Sequence, residues 1–201
     1  MPNKNHGPMV TLLSAGLLAG CAGLHPAAPV RFDLGNLGPA GTGAQLSAAL
    51  TVANVTAAPW LDNRAMHYRL NYADDQQPRA NTDSRWSVPP PQLLNQRIKA
   101  RMAQAGNVVL SGTDGAVDVA ILRIDADDFS QRFSSPTQSE AHVSLRASVF
   151  QGRALLAQRS FEQQHVAATA DAAGGARALA AATDDLIGEM TTWLATLPMK
   201  K

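Results

Sequence analysis

The sequence predicts an α+β domain: a mainly antiparallel sheet with two helices packed on one of its faces. Three observations carry this expectation. Apolar and polar residues alternate through several stretches between Val30 and Phe161, the period of a half-buried strand. Two other stretches, one after Pro91 and one after Ala176, space their apolar residues by three and four, the period of an amphipathic helix. Each helix follows a run of strands joined by turns, an order that suits helices laid on one side of an antiparallel sheet.

Taken in order, Val30, Phe32 and Leu34 alternate with polar neighbours as a short first strand. Gly35, Gly38, Gly41 and Gly43 with Pro39 then make a loop; no Lys-Ser/Thr pair or helix start follows, so it is no phosphate loop. Leu46, Ala48, Leu50 and Val52 predict a second strand over 46–55, ended by Pro59. Met66, Tyr68, Leu70 and Tyr72 alternate with His67, Arg69 and Asn71 as the clearest half-buried strand of the first half. The polar run from Asp74 to Pro78 predicts a turn, and residues 79–86 a returning strand.

Pro89, Pro90 and Pro91 stop that strand, and Pro91 suits the first turn of a helix whose face is Leu94, Ile98, Met102 and Ala105. Gly106 closes it. Val108 to Leu110 is a short strand; Val117, Val119 and Ile121 open a longer one, expected to end near Ile124 where Asp125, Asp127 and Asp128 begin. Next, Ala141, Val143, Leu145, Ala147 and Val149 point one way and His142, Ser144, Arg146 and Ser148 the other. Gly152 turns that strand back into a partner over 154–161, a hairpin. Gly174 and Gly175 interrupt the alanine-rich stretch after His165. The last helix is therefore expected from Ala176, with Leu179, Thr183, Leu186, Met190, Trp193 and Leu197 on its apolar stripe.

Ahead of all this lies a different kind of segment. A polar, weakly basic opening with Lys4 and His6 precedes an apolar stretch from Met9 to Ala19, too short to cross a bilayer but suited to the h-region of a secretory signal. It closes on Leu18, Ala19, Gly20 and Cys21, the one cysteine of the chain. Leu, small, small, Cys resembles the lipobox of bacterial lipoprotein signals. That resemblance implies residues 1–20 as a removed signal peptide and Cys21 as the lipidated residue. Residues 21–29, with Gly23, Pro26 and Pro29 among small residues, read as a lipidated tether, and 30–201 as the folded domain. Acylation by more than one chain gives lasting attachment. Ala22 stands where an Asp would signal retention in the inner membrane, so the expected location is the outer membrane, facing the periplasm.

The chain has 201 residues with 17 Lys plus Arg and 16 Asp plus Glu. Lys4 is the one charge within residues 1–20, which leaves 16 of each sign beyond them. A balance this even excludes the basic field of a nucleic-acid binder. With no second cysteine there is no disulfide, and stability must come from packing.

Signals of catalysis are weak. Histidines 6, 25, 67, 142 and 165 have no partner at metal-ligand spacing. The acidic run 125–128 lacks the further oxygen ligands and the glycine turn of a calcium loop. No Gly-x-Ser-x-Gly occurs, and no cofactor pattern. A non-enzyme is expected. Trp60 and Trp86 flank the strand over 66–72 and read either as plugs of the core ends or as partner contacts. Arg69, Arg85 and Trp86 are the residues nominated for partner contact, with Asp62 or Asp83 as an internal alternative for Arg85.

From Trp60 to Met102 the chain resembles the ABC-type transport auxiliary lipoprotein family. The resemblance rests on Leu61 with Asp62, Tyr68 with Arg69, Arg85 with Trp86, and Pro91 with Leu93 and Leu94. It implies a non-catalytic component of an intermembrane lipid transport system that docks a periplasmic MCE-domain protein at the outer membrane. Self-association is left open. The alternative is a lipoprotein that carries a lipid itself, against which the clean alternation of the strands predicts a filled core.

Overall fold

The computed structural model describes residues 28–39 and 43–200; the expected signal peptide, Cys21 and most of the expected tether lie outside the described residues. The strands are β1 (Val30–Phe32), β2 (Leu50–Val52), β3 (Thr56–Ala57), β4 (Ala65–Leu70), β5 (Asp74–Trp86), β6 (Val109–Ser111), β7 (Ala120–Ser135), β8 (Gln138–Gln151) and β9 (Ala154–Val166). The helices are α1 (Pro90–Gln104), between β5 and β6, and α2 (Ala172–Ala195) at the end. The fold is α+β, as expected, with one mixed sheet and the helices packed on one face.

The long strand pairs β4–β5, β7–β8 and β8–β9 are antiparallel, whereas β1–β5, β2–β6 and the pairs of β2, β3 and β4 with β7 are short and parallel. Strand β7 is the spine. Along one edge it pairs in succession with β2, β3 and β4, and along the other it pairs with β8.

β7 does not stop at the acidic run. Ala120, Leu122, Ile124 and Ala126 face the helices, and after a register shift between Ala126 and Asp128 the inward residues are Phe129, Gln131 and Phe133. A β-bulge adds one residue and so moves the inward set from even to odd positions. The broken alternation that predicts a strand end is the mark of that bulge. Arg146, opposite on β8, sits 3.6 Å from Asp125 and 3.7 Å from Asp127, which lets the carboxylates stay within a strand.

Other boundaries move for local reasons. The turn after β4 is made by residues 71–73, closed by the Ala73 amide donating to Leu70 O at 2.8 Å, so Asp74 to Pro78 belong to β5. Of the expected strand over 46–55 only Leu50–Val52 pairs. The segment before it docks on the end of α1, where the Leu46 amide donates to Asn107 Oδ1 at 2.8 Å. Gly106 takes φ +86 at the end of α1, the role expected of it.

α2 begins at Ala172 and runs through both glycines. Asp171 caps it, its side chain accepting from the Gly174 amide at 2.7 Å. A Cβ on Gly174 would collide with the main-chain carbonyl of Thr169, and one on Gly175 with the side chain of Gln131. Gln131 is pinned, donating to Ser139 Oγ at 2.8 Å and to Asp171 O at 3.1 Å. The glycines let the first turn of α2 lie against the sheet.

Between the helices, Asp184 of α2 takes two guanidinium groups from α1. Arg97 Nε and Nη2 donate to it at 2.7 and 2.6 Å, and Arg101 Nε at 2.8 Å with a second contact from Nη2. The same arginines donate to Gly35 O at 2.9 Å and Gly38 O at 3.2 Å, which ties down the glycine-rich loop.

Gly174→Ala tests the packing at the start of α2. Overpacking against a backbone carbonyl should outweigh the helix-propensity gain of about 1 kcal/mol and cost ~1–3 kcal/mol net. For a chain of this size the melting temperature should fall by roughly 2–10 °C in a calorimetric scan, whereas Gly188→Ala, which meets nothing, should not lower it.

Candidate functional site

The apolar side of β4 outruns the helix that should cover it. Met66 is buried, but Tyr68 and Leu70 are half-buried, and Tyr72, in the turn, is 48% exposed. These residues form one wall of a cleft of about 420 Å³, bounded by β5 at Asn81 to Asp83, by Phe133 of β7, and by the residues leading into α2. Tyr68 meets Phe133 edge to face, with centroids 5.7 Å apart. Leu179 and Trp86 lie at the floor. The filled core expected from the alternation holds beneath β7 and β8 but gives way here, because α2 starts only at Ala172.

Charge around the cleft is mixed: Arg177 of α2 acts on Asp171, and half-buried Arg79 of β5 stands opposite Tyr68. Asp83 and Asp171 line it, Asp74 and Asp75 follow Tyr72 in the hairpin, and neither lysine nor arginine is among the lining residues. The Gly174 amide and Thr169 hydroxyl hold the Asp171 carboxyl below its usual range. Burial pushes the His67 imidazole down from its ordinary value, which favours its neutral form.

The nominated contact residues are not one patch. Trp86 is 1% exposed and its ring packs on Phe129, centroids 5.4 Å apart, so the indole expected at the surface belongs to the core. Arg85, half-buried, donates to the main-chain carbonyls of Asn81 and, at 2.9 Å, Ser84, and pairs with neither Asp62 nor Asp83. Arg69 donates to Asp75 O at 2.8 Å and lies 5.9 Å from the ring centroid of Trp60. Arg85 stands opposite Ala65 while Arg69 is four residues further along β4, so their backbones are about 13 Å apart.

A second cluster, on the sheet face away from the helices, was not legible as a unit in the sequence. The bulge turns Asp128 and Arg132 outward on β7, next to His142 of β8 and Glu162 of β9. His142 Nδ1 lies 3.1 Å from Asp128 Oδ2 and Nε2 lies 2.7 Å from Glu162 Oε1, while Arg132 donates to Asp128 at 2.8 Å. Burial pushes Asp128 up, but the contacts with His142 and Arg132 outweigh it and hold its carboxyl at about 2. Burial likewise lowers His142, and the two carboxylates more than reverse this, raising its pKa above the ordinary value.

Because both ring nitrogens face carboxylate oxygens, both donate, and the imidazolium ties β7, β8 and β9 together. No lone pair remains on His142 to act as a general base toward a serine. Among the described residues, no group of three His, Cys, Asp or Glu side chains is placed to hold a metal ion, and no helix is long and apolar enough to cross a membrane.

Two variants separate these roles. His142 has a folded pKa raised above 6.5, so its stabilising contribution is complete below that pH and is lost as pH rises through the folded value. The melting temperature of the wild type should therefore decline from about pH 6.5 upward more steeply than that of His142→Gln. Trp86→Ala should cost ~3–5 kcal/mol, read by denaturant unfolding, as for other buried aromatics.

Among known proteins, the profile of the ABC-type transport auxiliary lipoprotein component family matches residues 32–191. No curated protein matches the chain in sequence. Among solved structures, protein XCC0632 from Xanthomonas campestris is 18% identical, with 85% of this chain and 92% of that one covered at a TM-score of 0.65. An uncharacterized protein is 15% identical, with 83% and 99% covered at a TM-score of 0.68. At these identities the structural likeness establishes the fold. The family match spans most of the sequence, and the chain belongs to the ABC-type transport auxiliary lipoprotein component family.

Proposed function

We propose that this chain is an outer-membrane lipoprotein, anchored at Cys21 and facing the periplasm, that serves an ABC-type intermembrane lipid transporter as its non-catalytic outer-membrane docking component. The observation that carries this reading is the family match over residues 32–191, joined to a lipobox at the start of the same chain. On this reading residues 1–20 are removed, 21–29 are the tether and 30–201 the docking domain. The partner is the system's periplasmic MCE-domain protein.

The site chemistry supports a binding role. His142 spends both nitrogens on carboxylates, and the acidic residues around the bulge are engaged by Arg132 and Arg146. The β4–β5 hairpin supplies the surface for contact. Arg69 and Arg85 remain the contact residues of this proposal, each held by main-chain carbonyls that fix its direction, while Trp86 supports them from below.

Cross-linking in intact cell envelopes should recover an MCE-domain protein with the wild-type chain, and recovery of none would overturn the reading. Arg69→Glu should reduce the cross-linked fraction severalfold with little change in melting temperature. Cys21→Ser should leave the fold intact and abolish function; a soluble periplasmic variant that stayed active would remove the anchor from the mechanism.

A further inference from the structure

Four buried side-chain atoms have no hydrogen-bond partner among the described residues: His67 Nε2, Asp128 Oδ1, Ser130 Oγ and Arg132 Nε. They are not scattered. Ser130 lies between Asp128 and Arg132 on the outer face of β7, and the parallel register that sets Tyr68 beside Gln131 sets His67 of β4 beside Ser130. Asp128 acts on the charge of His67 across the two strands.

Their neighbours shield them from solvent. Arg132 Nη2 reaches back to Asp128 Oδ2 at 2.8 Å, so that ion pair passes over Ser130, which is 1% exposed. His142 stands beside Ser130 on β8 and places Nδ1 3.1 Å from the same carboxylate oxygen. On the β4 side, the rings of Trp60 and His67 meet edge to face with centroids 5.2 Å apart. Asp128 thus gives one oxygen two donors, while the other, equally shut off, has none. Ser130 stands close enough to help lower that carboxyl but makes no hydrogen bond with it.

A buried polar atom without a partner is costly, and four of them converge on one short span of two strands. Their chemistry defines what would serve them. Asp128 Oδ1 only accepts, Arg132 Nε–H only donates, and Ser130 Oγ and His67 Nε2 can be served by either a donor or an acceptor. A cation would face the Arg132 guanidinium and an anion the Asp128 carboxylate, so the match is a small neutral molecule that donates twice and accepts twice. We infer that one water molecule is bound here as a fixed part of the fold, accepting from Arg132 Nε and donating to Asp128 Oδ1, with Ser130 and His67 completing its four bonds. This water carries the polar network of β7, β8 and β9 one strand further, to β4, where the three-residue pairing of β4 with β7 begins. It steadies the strand that bears Arg69 and the wall of the cleft.

The test uses the chain from residue 21 with Cys21→Ser. A crystal structure at about 1.5 Å resolution should show one ordered water within hydrogen-bond distance of at least three of the four atoms. Direct pairing of Ser130 with His67 or Asp128, an ion at this position, or a water that reaches fewer than three of the atoms would overturn the assignment.

Two variants test the role. Ser130→Val puts a methyl group in the water's place, whereas Ser130→Ala leaves the water room and three partners. The reporter is the Asn71 amide, which donates to Phe133 O at 2.9 Å and joins the end of β4 to β7. Its hydrogen exchange should speed up roughly tenfold in Ser130→Val and less than about threefold in Ser130→Ala, with amides of the β8–β9 hairpin unchanged in both. Equal exchange in the two variants, or no change in Ser130→Val, would remove the water from the support of β4. If Ser130→Val does not fold, the wild-type crystal structure still decides whether the water is there. None of these outcomes bears on recovery of an MCE-domain protein by cross-linking.

Discussion

One edge of β7 is hydrogen-bonded along almost its whole length and the other is shared among three short strands, and the position of many other elements follows from that constraint. A strand of 16 residues offers about 50 Å of edge, more than one partner of ordinary length can cover. Here one edge is shared among β2, β3 and β4, and the other is given to β8. The sharing explains why short parallel pairs coexist with long antiparallel ones in a single sheet. The bulge near Asp127 changes which residues of the strand face the helices, even positions before it and odd positions after it. The bulge carries Asp128 to the outer face, where His142 and Arg132 meet it. One local irregularity thus sets the phase of the core and creates the polar cluster that joins three strands.

The helices are held by two devices of a different kind. Close approach of α2 depends on Gly174 and Gly175, where any side chain would strike Thr169 or Gln131. Its relation to α1 depends on Asp184. Arg97 is 7% exposed, and a guanidinium that deep is stable only because the carboxylate accepts from it twice. Burial alone would push Asp184 up; its bonds to Arg101 and Arg97 reverse that and hold it below the usual carboxylate range. Taking away the carboxylate would leave two arginines against one another, a loss of the size found for broken buried pairs, about 3–5 kcal/mol. The pair also reaches Gly35 and Gly38, so the loop before β2 is fixed by the same charge.

What could be read from the sequence was whatever depends on local period. Both helices, the β8–β9 hairpin, the closing role of Gly106 and the apolar side of β4 follow from local spacing or from a single turn residue. What could not be read depends on partners far away in the chain. Trp86 next to Arg85 looks like an interface pair in one dimension; in three, alternation sends the indole under the sheet to Phe129 and leaves the guanidinium on the other side. The residues that carry the family resemblance are largely of this structural kind, for Leu61, Trp86, Leu93 and Leu94 are all core. The cleft was illegible because it is defined by where α2 begins, and the pair of glycines read as an interruption hid that start. The Asp128–His142–Glu162 cluster spans three strands and has no sequence spacing of its own.

The direction of β1 links the cleft to the proposed anchor. β1 runs parallel to β5 with Val30 beside Ser84, so the chain before Val30 comes from the side of Asp83 and the hairpin turn. Eight residues lie between Cys21 and Val30, and the nine steps can span at most about 30 Å. An acylated Cys21 would therefore keep Val30 within that distance of the membrane surface, with the hairpin end of the sheet turned toward it. In that orientation the cleft would face the membrane, while the β8–β9 turn at Gly152 and the far end of α2 would point away from it. On the proposed reading the length of that segment would set how close the hairpin end of the sheet stands to the membrane, so a flexible insert between Cys21 and Val30 would change the domain's reach without altering a residue of the fold.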